Sequence, residues 1–228
     1  MTRRHAHPWL LACGALALAG ALTAAGRAQD ALELQFIGNA AFRITDGQTT
    51  LLTDFPYKSG AFGSMEYRME DVGPIADGVS LVTHDHADHW DAALFRKTTL
   101  KVIAPPAITK GLPVDRILPW GDRIAYKDIE VHPIATSHAP THVSYLVVWH
   151  GVRMFFTGDT EDPQPVLAQA RLDALFATPW LIESLAKSGQ RLNTDLLVVH
   201  HHKAGEDVPL LPRMMLPRQG DVFQIDYR

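Results

Sequence analysis

The run Val79-Ser80-Leu81-Val82-Thr83 passes without a break into His84-Asp85-His86-Ala87-Asp88-His89-Trp90-Asp91. Its β-branched and leucine side chains, with no charge among them, predict a short buried strand. A buried strand has a fixed position, so it must deliver three imidazoles and three carboxylates to one place. Alternation along an extended chain sends His84 and His86 to the same side, and the turn that follows brings Asp88 and His89 back towards them. That arrangement can hold two cations, with His84 and His86 serving one and Asp88 and His89 its neighbour. Asp85, between the two histidines, is expected to point to solvent. Asp91 is expected at the cap of a short helix over residues 91–98.

The rest of the chain supplies the walls for such a site. Two β-rich runs flank Asp46-Gly47, a dipeptide that favours a hairpin turn, and the second ends at Asp54. Residues 58–78 carry several glycines and charges and are expected to form a loop over the site. Strands are predicted over 101–104, 129–135, 143–149 and 152–157, the last two joined by a turn at His150-Gly151. A helix with an apolar stripe over 164–172 precedes a strand beginning at Leu172. Residues 179–190 predict a helix ending at Gly189, "DLLVVHHH" a strand ending in three histidines, and the tail an edge strand. Successive strands followed by strands alternating with helices predict an α/β domain of sheets covered by helices.

The first 28 residues belong to a different kind of segment. Arg3 and Arg4 precede an apolar run from Trp9 to Leu22, and Gly26-Arg27-Ala28 offers small residues at a cut site. We expect a signal peptide, cleaved after Ala28, and a single mature domain over 29–228 in the periplasm or medium. A retained anchor is the alternative, but it would want nearer ~20 uninterrupted apolar residues, and no stable membrane span is expected after cleavage. Loss of the segment removes Arg3, Arg4 and Arg27 but no acid from 21 basic and 25 acidic residues, moving the formal charge from −4 to −7. Nucleic acid is therefore not an expected partner, because its binders usually show basic patches. The only cysteine, Cys13, leaves too, so any metal must be held by His, Asp or Glu.

The strand followed by H-x-H-x-D-H resembles the signature of the metallo-β-lactamase-fold hydrolases, in particular their compact, lactonase-like branch. Further segments are similar in the family's order over residues 32–202. "IGNAAFRITDGQTTLLTDFPY" resembles the opening strands, "TSHAPTHVSYLVVWHGVRMFFTGDTED" the third-histidine segment with its hairpin and aspartate, and "LLVVHHH" the last histidine. The resemblance implies a four-layer αββα sandwich and a metal set of His84, His86, Asp88, His89, His138, Asp159 and His201. Asp159 would bridge both ions, and Asp54 would orient ligands. His142 is the alternative to His138, and His200 and His202 stay open beside His201. His132 and His150 are expected to be ordinary strand and turn histidines.

Imidazoles and carboxylates without thiolate suit Zn2+ and also Fe or Mn; two zinc ions are expected. Two cations about 3.5 to 4 Å apart can share a water and lower its pKa towards 7. Asp88 is the expected catalytic residue, holding that water and taking its proton. The reaction implied is hydrolysis of an ester, lactone or phosphodiester-type bond in a small substrate. The aspartate of Gly158-Asp159-Thr160 disfavours antibiotic hydrolysis, since β-lactamases of the family commonly use cysteine or a different second site. The alternatives are a mononuclear iron oxygenase of the same fold and a non-catalytic protein that binds metal or a ligand. Substrate choice is expected to lie with loop 55–78 and Trp180, where Phe55, Tyr57, Phe62 and Tyr67 either line a pocket or anchor the loop.

Overall fold

Apolar side chains on both faces of several strands need cover on both sides, and the computed structural model shows how they find it. It describes residues 30–75, 77–203, 205, 206, 208 and 213–227. The expected signal segment, residues 1–28, lies outside the described residues.

One sheet contains β1 (Ala31–Gly38), β2 (Ala41–Thr45), β3 (Thr50–Thr53), β4 (Gly78–Leu81) and β5 (Lys101–Ile103). The other contains β6 (Ile124–Tyr126), β7 (Ile129–Ala135), β8 (Val143–Trp149), β9 (Val152–Phe156), β10 (Leu172–Ala177), β11 (Thr194–Val199) and β12 (Met214–Met215). The last strand, β13 (Val222–Asp226), returns to edge the first sheet, whose order is β13-β1-β2-β3-β4-β5. The second runs β12-β11-β10-β9-β8-β7-β6. Pairing is antiparallel from β13 to β3 and from β6 to β9, and parallel from β3 to β5 and from β9 to β12.

Period-two alternation divides the apolar residues among three layers of packing. Leu32, Leu34, Phe36, Phe42, Tyr145, Val147, Trp149, Met154, Phe156 and Phe176 meet between the two sheets. Leu52, Phe55, Tyr57, Trp90, Phe95 and Val102 pack on the outer face of the first sheet, where α1 (Ala92–Phe95) lies. Phe155, Leu175 and Leu197 face the other way, against Val166 of α2 (Gln164–Leu167) and Leu181, Ile182 and Leu185 of α3 (Pro179–Ser188). Helix, sheet, sheet, helix is the expected four-layer order. Among the described residues no helix is long and apolar enough to cross a membrane.

Turns and caps follow the local chemistry. Asp46 Oδ1 accepts from Gln48 N–H at 2.9 Å and Thr49 N–H at 2.8 Å, closing the β2-β3 turn. His150 and Gly151 both take positive φ, 50° and 82°, between β8 and β9. Asp91 accepts from the Ala93 and Leu94 amides at the start of α1, and Gly189 ends α3 with φ 67°.

The structure corrects two expectations and adds two short strands. The helix over 164–172 stops at Leu167, because Leu172 is already paired with Thr194 at the start of β10. The strand "DLLVVHHH" ends at Val199, one residue before the histidines. Strands β6 and β12, three and two residues long, have no counterpart in the sequence reading.

Candidate metal centre

The ends of β3, β4, β7, β9, β10 and β11 converge at one rim of the sandwich, and the polar residues past those ends form one cluster. His84 follows β4 and is buried completely. Its Nδ1 lies 3.0 Å from Thr83 Oγ1, while Nε2 lies 3.0 Å from His86 Nδ1. His138, past the end of β7, closes this group, and one ligand atom each of His84, His86 and His138 lie within 4.8 Å of one another.

A second group interlocks with the first. Asp88, His89 and His201 meet the same separation, as do His84, His89 and Asp159. His201 Nε2 lies 3.1 Å from Asp88 Oδ2 and 3.3 Å from Asp159 Oδ2. His89 Nε2 lies 3.2 Å from Asp159 Oδ2, and His138 Nε2 3.8 Å from the same oxygen. Asp159 thus reaches both groups, and all seven residues expected as ligands are brought together.

Partners behind the cluster fix which atoms face it. Asp54 accepts at Oδ1 from Thr83 N–H (2.7 Å) and at Oδ2 from His89 Nδ1 (2.9 Å), leaving His89 Nε2 turned inward. Asn39, in the β1-β2 turn with φ 53°, donates through Nδ2 to the Asp88 backbone carbonyl at 2.7 Å. Its carbonyl accepts from His201 N–H at 2.7 Å. His201 itself takes φ 55°, so alternation does not govern where it points. His200 turns into the interior against Thr157, 3.4 Å away, and His202 stacks on Phe36 with Nε2 3.0 Å from the Pro217 carbonyl.

The remaining candidates join none of these donor groups. Asp85 is exposed and accepts from Thr141. His132 pairs with Glu130, and His150 sits between Asp46 and Asp128 at the far end of the sandwich. His142 is not in the ligand groups; both its ring nitrogens are engaged elsewhere, one of them by the Asp159 amide.

The donor set fits divalent cations. His89 Nε2 and Asp159 Oδ1 are buried with no hydrogen-bond partner, and the 3.2 Å approach of His89 to Asp159 Oδ2 is not aligned as one. Such atoms are costly to leave unsatisfied. Two ligands about 2.0 to 2.1 Å from one tetrahedral ion lie about 3.3 Å apart, which is close to the shortest donor separations here, 3.0 to 3.3 Å, with His89 Nε2 and Asp88 Oδ2 further apart at 3.8 Å. The electrostatics point the same way. Burial resists charge on His201, yet Asp159 and Asp88 raise it to about 9. Burial likewise opposes charge on His89, and Asp159 and Asp54 override it to hold it well above the ordinary range. Burial favours neutral Asp159, but His89 and His201 hold it well below the usual carboxylate range. The carboxylates demand positive charge at the centre, which bound cations would supply. His84, by contrast, is pushed down by burial and by His89, as suits a neutral ligand.

A cavity of about 180 Å³ opens beside the second group, lined by Asp88 and His201 and by Phe62, Ser64 and Trp180. A larger one, about 620 Å³, lies at the opposite end between His150, Arg171, Asp195 and Tyr227, away from the donor groups. The smaller cavity is the one next to the chemistry. Of the five aromatic candidates, Phe62 and Trp180 line it, whereas Phe55 and Tyr57 are fully buried and pack against Tyr67 as loop anchors.

Comparison with known proteins agrees with this layout. The family described as beta-lactamase superfamily domain matches residues 33–178. Igni18, a metallo hydrolase from the archaeon Ignicoccus hospitalis, superimposes with a TM-score of 0.68 at 15% identity, over 87% of this chain and 100% of its own. YhfI from Bacillus subtilis, a metallo-beta-lactamase fold protein, gives 0.63 at 12% identity, over 86% and 100%. An isothiocyanate hydrolase from Delia radicum gut bacteria gives 0.61 at 13%, over 86% and 100%. A comparison with curated protein sequences finds no match.

Proposed function

The chain belongs to the β-lactamase superfamily, and from that premise we propose that it is a dinuclear metal-dependent hydrolase of small ester, lactone or phosphodiester-type substrates. The observation that carries this reading is the pair of interlocked donor groups, with His89 Nε2 and Asp159 Oδ1 buried and unpartnered, beside a cavity that reaches Asp88 and His201. His84, His86 and His138 would hold one ion, Asp88, His89 and His201 the other, and Asp159 both. Zinc suits imidazole and carboxylate donors, and iron or manganese is the alternative. When bound, the ions supply an acidified water and polarise the substrate's carbonyl or phosphoryl oxygen.

The chain's own residues do the rest. Phe62 and Trp180 wall the cavity and would hold the apolar part of a substrate against the cluster. Asp88 faces the same cavity, steadied by Asn39 Nδ2, which lies 3.3 Å from its Oδ2. In hydrolysis the water oxygen bonds to the acyl or phosphoryl centre, its proton passes to the Asp88 carboxylate, and the bond to the leaving oxygen breaks. Asp88 then returns the proton to the leaving group.

Elemental analysis of the purified protein, with turnover of a chromogenic ester and a phosphodiester, tests the proposal. We expect two zinc ions per chain and hydrolysis of at least one substrate class. One iron per chain with oxygen consumption, or bound metal without turnover on a broad panel, overturns it. Export belongs to the same proposal. Protein recovered outside the cytoplasm is expected to begin at Gln29, and the same material beginning at Met1 overturns cleavage.

A further inference from the structure

His142 sits among the metal-centre histidines, its ring centroid 5.1 Å from that of His84 and 5.4 Å from that of His138, yet it offers them no nitrogen. Its Nε2 accepts from the backbone N–H of Asp159 at 2.9 Å. An accepting Nε2 carries no proton, so the proton is on Nδ1, which lies 2.8 Å from Thr136 Oγ1. The remaining bonds then run in one direction. Thr136 Oγ1 lies 3.1 Å from Ser144 Oγ, and Ser144 Oγ donates to the Thr157 carbonyl at 2.8 Å. The chain His142, Thr136, Ser144, Thr157 thus leaves the Asp159 amide and returns to the backbone two residues before it.

The turn is shaped around the imidazole. Gly158 takes φ 56°, and a Cβ there would lie 2.5 Å from His142 Nε2. On its other side the Asp159 carbonyl accepts from Trp180 Nε1 at 3.2 Å. Both backbone groups of Asp159 are therefore held by side chains, in a residue whose carboxylate reaches both donor groups.

We infer that His142 is a positioning residue, which holds the Asp159 carboxylate between the two metal sites by fixing the backbone of the 157–159 turn. The inference rests on the dinuclear reading for its consequence, but the hydrogen-bond chain itself is independent of metal. Loss of the Nε2 acceptor frees the turn and leaves a buried amide unsatisfied. Partners of this kind, when mutated, cost about 10- to 100-fold in metal affinity.

The test combines zinc affinities, from competition with a chelating dye, with long-range proton–nitrogen NMR of the metal-free protein. In the wild type we expect His142 as the Nδ1–H tautomer. His142→Ala should weaken zinc binding about 10- to 100-fold, whereas His142→Gln, whose amide oxygen can accept from Asp159, should restore most of it. Thr136→Val keeps the shape of residue 136 and its backbone contact with His142 but removes the hydroxyl that links Nδ1–H to Ser144. It should weaken zinc binding in the same direction, and it serves if His142→Ala does not fold. An Nε2–H tautomer overturns the inference, as do unchanged zinc affinities in a folded His142→Ala or a Gln variant as weak as the Ala variant. A wild type that binds fewer than two zinc ions would instead defeat the dinuclear reading, while the tautomer would still decide the hydrogen-bond chain.

Discussion

Asp88→Asn is expected to lower kcat by about 10²- to 10⁴-fold, the range that a positioned proton acceptor supplies. The substitution keeps the shape of the side chain and its approach to Asn39, so the loop after β4 has no steric reason to move. It removes the negative charge that faces His201 Nε2 at 3.1 Å and the group that takes a proton from the attacking water. Metal at the Asp88-His89-His201 group should also bind more weakly, since an amide oxygen is a poorer donor for a dication than a carboxylate. Asp85→Asn provides the contrast within the same nine residues. Asp85 is exposed, accepts from the Thr141 hydroxyl and belongs to neither donor group, so its loss should leave kcat within about twofold, as suits a surface change worth under about 0.5 kcal/mol. Steady-state rates with zinc counts on both variants decide the matter. An Asp88→Asn enzyme within tenfold of the parent would remove Asp88 from the proton path.

This contrast was legible in the sequence because the stretch is local: a buried strand fixes where His84 and His86 begin, and period-two geometry puts Asp85 on the other side. The layered fold was legible for a similar reason, since β7 and β8 have the bounds that their apolar runs predict. Legibility ended where side chains depend on distant backbone. The choice among His200, His201 and His202 could not come from alternation, because β11 stops at Val199 and His201 takes positive φ where Asn39 captures its amide. Asn39 itself was missed. The only signal was a Gly-Asn pair after an apolar run, which reads as an ordinary turn until Asp88, 49 residues later, is seen beside it. His142 was weighed only as a substitute ligand, because nothing local reveals that Asp159 will present its amide to the ring. Phe55, Tyr57 and Phe62 are alike as aromatics in one loop, and only the contacts of Tyr67 separate the anchors from the wall.

Phe176→Ala is expected to cost about 3 to 5 kcal/mol of unfolding free energy, the range for truncating a fully buried phenylalanine. Phe176 belongs to β10 in the second sheet, where it stacks on Phe156 with ring centroids 4.4 Å apart. It also meets Phe42 of the first sheet edge-on at 4.9 Å, so one ring bridges the two sheets. A domain stable by about 5 to 15 kcal/mol would lose a large part of its margin. Melting of the metal-free protein should fall by about 6 to 20 °C, at about 2 to 4 °C per kcal/mol for a chain of this size. Damage should also reach the rim, because β10 leads within two residues to Thr178, the cap of α3, and then to Trp180, whose indole holds the Asp159 carbonyl. Phe62→Ala separates stability from function. Phe62 is 80% exposed, so its removal should change stability by less than about 0.5 kcal/mol. Because it walls the cavity beside Asp88, its effect should appear in KM instead. Equal melting losses in the two variants would mean that the sheets do not meet at Phe176, and the positions of every rim residue that depends on β10 would have to be reconsidered.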